Sequence, residues 1–496
     1  MPIRLTHREY RIIAAGVLVA SVSLGIGVKY FWRAFPEAAI DFRLTREQSA
    51  PVARKFLADR GIRLEGYRQT SIFNYSDETK VYLERTQGLE RMNGLTRGPV
   101  RLWRWSHRWF KPRQKEEFRV EVTPAGEVVG YDHEIEEAAP GAGLDPAAAR
   151  GIAEKFLRDV TKRDLTDLEF LETETEKRPA RTDHLFTWKQ RSVDLGEGSL
   201  RVEVEVDGNE VAGYREYVKI PEQWSRDYEK LRSRNDSAQV VAEVLLVLLS
   251  MAMLIILVRR LRDRDVPARL AAWFGLVTSL LYFLGQLNDF SVAEFTYRTT
   301  DSYSSFVAGY LQRSVLAALG AGAWVFFLVG SSEPVYRENF GKLISIRRYM
   351  SWKGLRTRSF FMAYVVGLAL TFFFFAYQTI FYLAANKLGA WAPADVNYSD
   401  LLNTRIPWVW VLFGGFLPAV SEEMQFRAFA VPFLKKILRS GTAGLVLAAF
   451  IWSFLHSAYP NQPFYIRGVE VGLGDHAGPS GCGACCLLAN GHVRAR

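Results

Sequence analysis

The chain has 496 residues, a formal net charge of +10 and 49% hydrophobic residues, and its apolar positions are bunched into long runs on either side of one polar segment. Runs near the ~20 apolar residues that span a bilayer exclude a wholly soluble protein. The Lys and Arg excess falls largely in the loops between runs, where it reads as a topology signal, which excludes nucleic acid as a partner.

Residues 12–28 are the first run, preceded by Arg4, His7, Arg8 and Arg11. The run exceeds the roughly 7–15 residues of a signal-peptide core, and no small-x-small cleavage site follows it. Residues 1–34 are therefore expected to be a retained signal-anchor span.

Nothing in residues 35–235 is apolar enough to span, and the segment echoes itself. AREKFL-type helical patterning recurs as ARKFLAD at 53–59 and AEKFLRD at 153–159. RVEVTPAGEVVGY at 119–131 returns as RVEVEVDGNEVAGY at 201–214, in both cases period-two alternation around a Gly-containing turn, which predicts hairpins. The expectation is an inserted extracytoplasmic α+β domain of two tandem repeats, residues 35–140 and 141–235, each a helix followed by antiparallel strands. In this pattern the segment resembles the PepSY-type modules found outside bacterial membranes. His107, His133 and His184 are scattered without metal-ligand spacing. The aromatic and basic run 101–111 has two readings, a surface for anionic lipid or peptide, or a strand with its aromatics tucked inside. No cysteine falls here, so stability must come from the core.

Further spans are expected at 240–258, 270–287, 307–330, 360–385, 406–434 and 443–457, giving an α-helical polytopic membrane protein of about seven spans. Residues 236–358 hold the second to fourth spans and 359–474 the membrane core. Arg259, Arg260, Arg262, Arg264 and Arg269 follow the second span, Arg337, Lys342, Arg347, Arg348, Lys353, Arg356 and Arg358 the fourth, and Lys435, Lys436 and Arg439 the sixth. The loops 288–306 and 386–405 are poor in basic residues. The positive-inside rule thus predicts a cytoplasmic N-terminus and an outer domain, in a plasma (inner) membrane.

Within the sixth run stand Glu422, Glu423 and Arg427. Charges at that depth cost at least about 2.5–3.5 kcal/mol, so they are usually paired and mark function. Side chains four apart share a helix face, which lets Glu423 and Arg427 pair and turns Glu422 elsewhere, toward water, a metal or a neighbouring helix. The next run ends in His456, and an antiparallel return brings an imidazole toward that carboxylate.

The spacing Glu422-Glu423-x-x-x-Arg427, with Trp452-x-x-x-His456 in place of Phe-x-x-x-His, resembles the CAAX prenyl proteases and bacteriocin-processing enzymes, also called the CPBP or Abi family. The likeness covers residues 360–474, and its third motif, a later His followed by Asn, is absent. The resemblance implies an intramembrane endopeptidase acting on a membrane-associated or prenylated-type peptide at the lipid bilayer. Glu422 and His456 would activate water, with Glu423 and Arg427 holding the helix and its charges in place. Zinc or another divalent metal on Glu422 and His456, or a metal-free glutamate mechanism, are both open. So are an ion-coupled transporter, an inactive scaffold or immunity protein, and a sensor whose membrane part is an anchor. After 474 the composition changes to a Gly- and Cys-rich tail, 475–496, with Cys482 and Cys485 in Cys-x-x-Cys spacing beside His476 and His492. That tail is expected to be a truncation or reading-frame shift, the redox or metal site being the other reading.

Overall fold

The helices and strands follow from where the apolar residues recur: every two positions in the polar segment, all around the cylinder in the membrane runs. The computed structural model describes residues 5–340, 348, 351–391, 398–457, 463 and 465–466. The tail 475–496, with Cys482, Cys485, His476 and His492, lies outside them.

Helix α1, His7–Ala34, starts at a capping box in which Thr6 and Glu9 satisfy each other's backbone N–H groups. The polar segment then folds as α2 (Arg46–Asp59), β1 (Arg68–Asn74), α3 (Asp77–Gln87), α4 (Leu89–Arg97), β2 (Arg104–Phe110), β3 (Glu117–Val122) and β4 (Val128–Glu134). The second half runs α5 (Pro146–Asp159), β5 (Leu168–Lys177), β6 (Thr182–Gln190), β7 (Ser199–Asp207) and β8 (Glu210–Lys219), a helix and four strands without the α3–α4 pair that separates β1 from β2 in the first. All eight strands make one antiparallel sheet of order β1-β2-β3-β4-β8-β7-β6-β5.

Both α2 and α5 lie on one sheet face. Ala53 and Leu57 from α2, and Ala153, Phe156 and Leu157 from α5, pack with Trp109, Phe186, Trp188, Val202 and Val204. Burying each of the larger of these contributes roughly 1.5–3 kcal/mol. A second cluster gathers Phe73, Tyr82, Met92, Trp103 and Trp105 beneath α3 and α4. The aromatic and basic run is therefore β2 and its approach, and buried Trp103, Trp105 and Trp109 are core residues, not a lipid-facing belt. His107 is a core residue too, held between the Ser49 and Ser71 hydroxyls, and burial pushes its pKa down to about 4.

From the sheet, α6 (Glu222–Arg262) runs unbroken for 41 residues into the membrane part. The domain boundary expected at 235 falls inside it, because residues 222–235 contain neither Pro nor Gly to stop a helix. There follow α7 (Ala268–Asn288), α8 (Phe290–Phe295), α9 (Tyr303–Phe340), α10 (Trp352–Leu355), α11 (Arg358–Lys387) and α12 (Tyr398–Asn403). After them come α13 (Pro407–Glu422), a π-helical segment (Glu423–Ala430), α14 (Val431–Leu438) and α15 (Gly441–Phe454). Among the described residues five helices, α1, α6, α7, α9 and α11, are long and apolar enough to cross a membrane. Two of the seven expected spans take other forms. The run 406–434 is divided at the π segment, and 443–457 becomes the 14-residue α15. Helices α7 and α9 cross closely at Gly275 and Gly322, where a Cβ on Gly275 would stand 2.7 Å from the Gly322 carbonyl oxygen.

The sheet domain sits on two loops of the membrane part. Arg108 donates to the carbonyl oxygens of Phe295 and Tyr297 at 2.6 and 2.8 Å, and Thr70 donates to that of Ser291 at 2.8 Å. Asn403 hydrogen-bonds the N–H and C=O of Phe73, which caps the β1 edge of the sheet. Asn288 in turn exchanges two 2.9 Å bonds with the backbone of Ile406, the residue before α13. The two loops poor in basic residues thus lie on the same side of the protein as the sheet domain.

Candidate active site

From Pro407, about 22 Å of helix descends to Glu422. There the backbone widens: the N–H of Val431 reaches the carbonyl of Phe426, five residues back. Pro432 follows with no N–H to offer the preceding turn, and the wider hydrogen-bonding pattern accommodates that missing donor. Such π turns inside α-helices are frequent at functional sites.

The segment packs against α9 and α15 in one apolar cluster with Val325, Leu328 and Val329 of α9, Ala448 and Ile451 of α15 and, behind them, Leu249 and Met253 of α6, and Phe429 is fully buried. Its two charged side chains, Glu423 and Arg427, and Glu422 just ahead of it are all partly exposed. Glu423 and Arg427 form an ion pair, Nη1 to Oε1, each side chain about a third exposed from the protein (39% and 32%). A pair this exposed neutralises two costly charges and gives the helix its register. Gln425, between them in sequence, is buried, and its amide nitrogen has no partner among the described residues.

Glu422 is aimed away from that pair and accepts a 2.8 Å hydrogen bond at Oε2 from the indole Nε1–H of Trp452 on α15. His456, in the turn just past α15, has Nδ1 2.7 Å from the carbonyl oxygen of the same Trp452. A carbonyl can only accept, so Nδ1 carries the hydrogen and Nε2 is the basic nitrogen of the neutral ring. The indole and imidazole rings lie 5.0 Å apart. One residue therefore positions both Glu422 and His456, through its side chain and its backbone.

The structure thus brings Glu423 to Arg427, and Glu422 and His456 to Trp452. The sequence reading treats Trp452 as an aromatic substitute for Phe and misses its N–H. The signal was present, since indole is the one large aromatic that donates without accepting. The π turn has a weaker signal in Pro432.

Among the described residues no group of three His, Cys, Asp or Glu side chains is placed to hold a metal ion. Glu422 and His456 offer two donors, against the three protein ligands of a usual catalytic zinc.

Residues 404–480 match the family model described as Type II CAAX prenyl endopeptidase Rce1-like. The match contains Glu422, Glu423, Arg427, Trp452 and His456, and it supports the CAAX-type intramembrane protease family for this part of the chain. Comparison with curated proteins and with solved structures gave no significant match.

Proposed function

We propose that the membrane core is an endopeptidase that cuts a membrane-associated or prenylated-type peptide, with Glu422 and His456 activating the water. The observation that carries this reading is the link through Trp452, whose indole holds a carboxylate at the end of α13 and whose carbonyl holds an imidazole in the turn after α15. With Oε2 held by the indole, Oε1 of Glu422 takes a proton from water. The water oxygen bonds to the scissile carbonyl carbon, and the proton passes to the leaving nitrogen as the C–N bond breaks. Nε2 of His456 accepts a hydrogen bond from the same water and orients it. The pair Glu423–Arg427 keeps the helix charges compensated and does not touch the reacting atoms.

In the same reading the halves of the sheet domain are tandem repeats of PepSY-like character, held outside the plasma membrane with the N-terminus in the cytoplasm. Two observations support it: each half opens on a helix and contributes four strands, with α3 and α4 inserted between β1 and β2 of the first, and the domain is seated on the loops poor in basic residues.

Cleavage of a quenched fluorescent prenylated peptide by the full chain in detergent tests the proposal. Glu422→Ala and His456→Ala should each lower kcat/KM by at least about a hundredfold, as loss of a positioned acid–base group does. Cleavage that survives Glu422→Ala overturns the site. A parent chain that binds the peptide and leaves it intact overturns the enzymatic reading in favour of a binding protein of the same fold.

A further inference from the structure

The two halves of the eight-stranded sheet are stitched together over three residue pairs, Gly130–Arg215, Tyr131–Tyr214 and Asp132–Gly213. Beyond them β8 runs on to Lys219 with its other edge still paired to β7. A register shift between Glu121 and Val122, where β3 meets β4, bends β4 away from β8. The strands part around a cavity of about 450 Å³, within the roughly 300–1,000 Å³ of ligand pockets.

The cavity has an apolar floor of Val100, Leu102, Leu200 and Val218 and a wall of Arg104 and Glu121. Arg104 donates to Oε2 of Glu121 and to the carbonyl oxygen of Glu216, each at 2.5 Å. The second bond shows that the Glu216 carbonyl faces the cleft. In an antiparallel strand the N–H and C=O of one residue point to the same edge, and the residue two further on repeats that orientation. Val218 therefore presents its N–H and C=O to the cleft, past the end of the β4 pairing, which stops at Arg215.

We infer that this cleft binds an extended peptide segment of another protein, which adds to β8 along 216–219 as a short strand. Main-chain groups presented at two-residue spacing are what a β-strand recognises and a compact small molecule does not. The wall charges of Arg104 and Glu121 satisfy each other, so the part of the segment over the Leu102 and Val218 floor is uncharged and carries a β-branched apolar side chain, with Lys219 at the end of the cleft. The mouth of the cleft also reaches Ser225 in the first turn of α6, whose hydroxyl donates to Glu78 at 2.6 Å. An occupant would thus touch the head of the helix whose Leu249 and Met253 back the π turn. The inference stands independently of the protease reading.

The test uses the full chain in detergent and the pentapeptide Thr-Val-Thr-Val-Thr, amidated and labelled with fluorescein at its N-terminus, with fluorescence anisotropy as readout. Binding is expected with Kd below about 1 mM, a weak interaction in keeping with three main-chain bonds. The same peptide with every amide N-methylated should bind at least about tenfold more weakly. Val218→Pro removes the N–H on the open edge and should produce the same loss. Leu102→Trp fills the floor without touching the strand, and it gives a second reading should the proline variant fail to fold. No binding below about 1 mM, equal binding of the methylated peptide, or binding that survives both Leu102→Trp and a folded Val218→Pro would each overturn the inference.

Discussion

Trp452→Phe keeps the ring that packs against His456 and deletes the N–H that Glu422 accepts at 2.8 Å. A hydrogen bond to a charged group contributes about 1.5–3 kcal/mol net, and a carboxylate left without it costs its own desolvation. Glu422→Gln replaces the charge with an amide of the same shape and weakens that bond from the other side. The two substitutions should therefore couple: each alone destabilises, and the double variant should be about 1–3 kcal/mol less destabilised than the singles imply together. Unfolding of the four proteins in detergent micelles under a denaturant gradient supplies the cycle. Additivity within about 0.5 kcal/mol would show that the indole does not hold Glu422, and with it the shared positioning of Glu422 and His456 would fall.

The remaining expectations concern the supports of the site. Arg108→Met leaves Glu117, 3% exposed, with only the half-exposed Arg119 as its ion-pair partner and cuts the bonds to Phe295 and Tyr297. A loss of about 1.5–3 kcal/mol and faster hydrogen exchange in residues 290–303 should follow, and unchanged exchange there would refute the docking. Gly322→Val pushes a side chain into Ser279 and the Gly275 carbonyl and should cost about 1–3 kcal/mol by forcing α7 from α9. Thermal unfolding at parental temperature would refute it. Glu37 is buried beside Lys80, Glu84 and Asp77, and burial above all raises its pKa from 4.5 to about 7. The folded state then binds this proton more tightly than the unfolded one, so stability falls as pH rises from about 4.5 to 7. Glu37→Gln should be about 2–3 kcal/mol more stable than the parent at pH 8 and equal to it near pH 4. Equal stability at both values would refute the assignment.

Composition and periodicity by themselves determined that long apolar helices flank a polar α+β segment. They did so because bilayer-length apolar runs and period-two alternation are local properties of a chain. The same holds for the Glu423–Arg427 pair, since four-residue spacing brings two side chains together without help from any other element. The four strands of each half are local in the same sense. Their fusion into one sheet through β4 and β8 is not, because strand pairing at a separation of about eighty residues leaves no trace in either strand's own pattern.

Tertiary structure alone decided how the sixth run crosses. Its hydropathy reads as one uniform span, whereas the missing donor of Pro432 and the packing of α9 and α15 against the segment around Phe429 accompany a break into α13, a π turn and α14. It also decided the role of Trp452. An indole thirty residues from Glu422 becomes its hydrogen-bond partner only when α15 returns antiparallel beside the π turn. The same holds for the seat of the sheet domain, which rests on Arg108, Asn403 and Asn288 meeting backbone groups far away in the chain. Spacing along the chain specifies what one element does to itself; the partners of a side chain are fixed by the elements that pack against it.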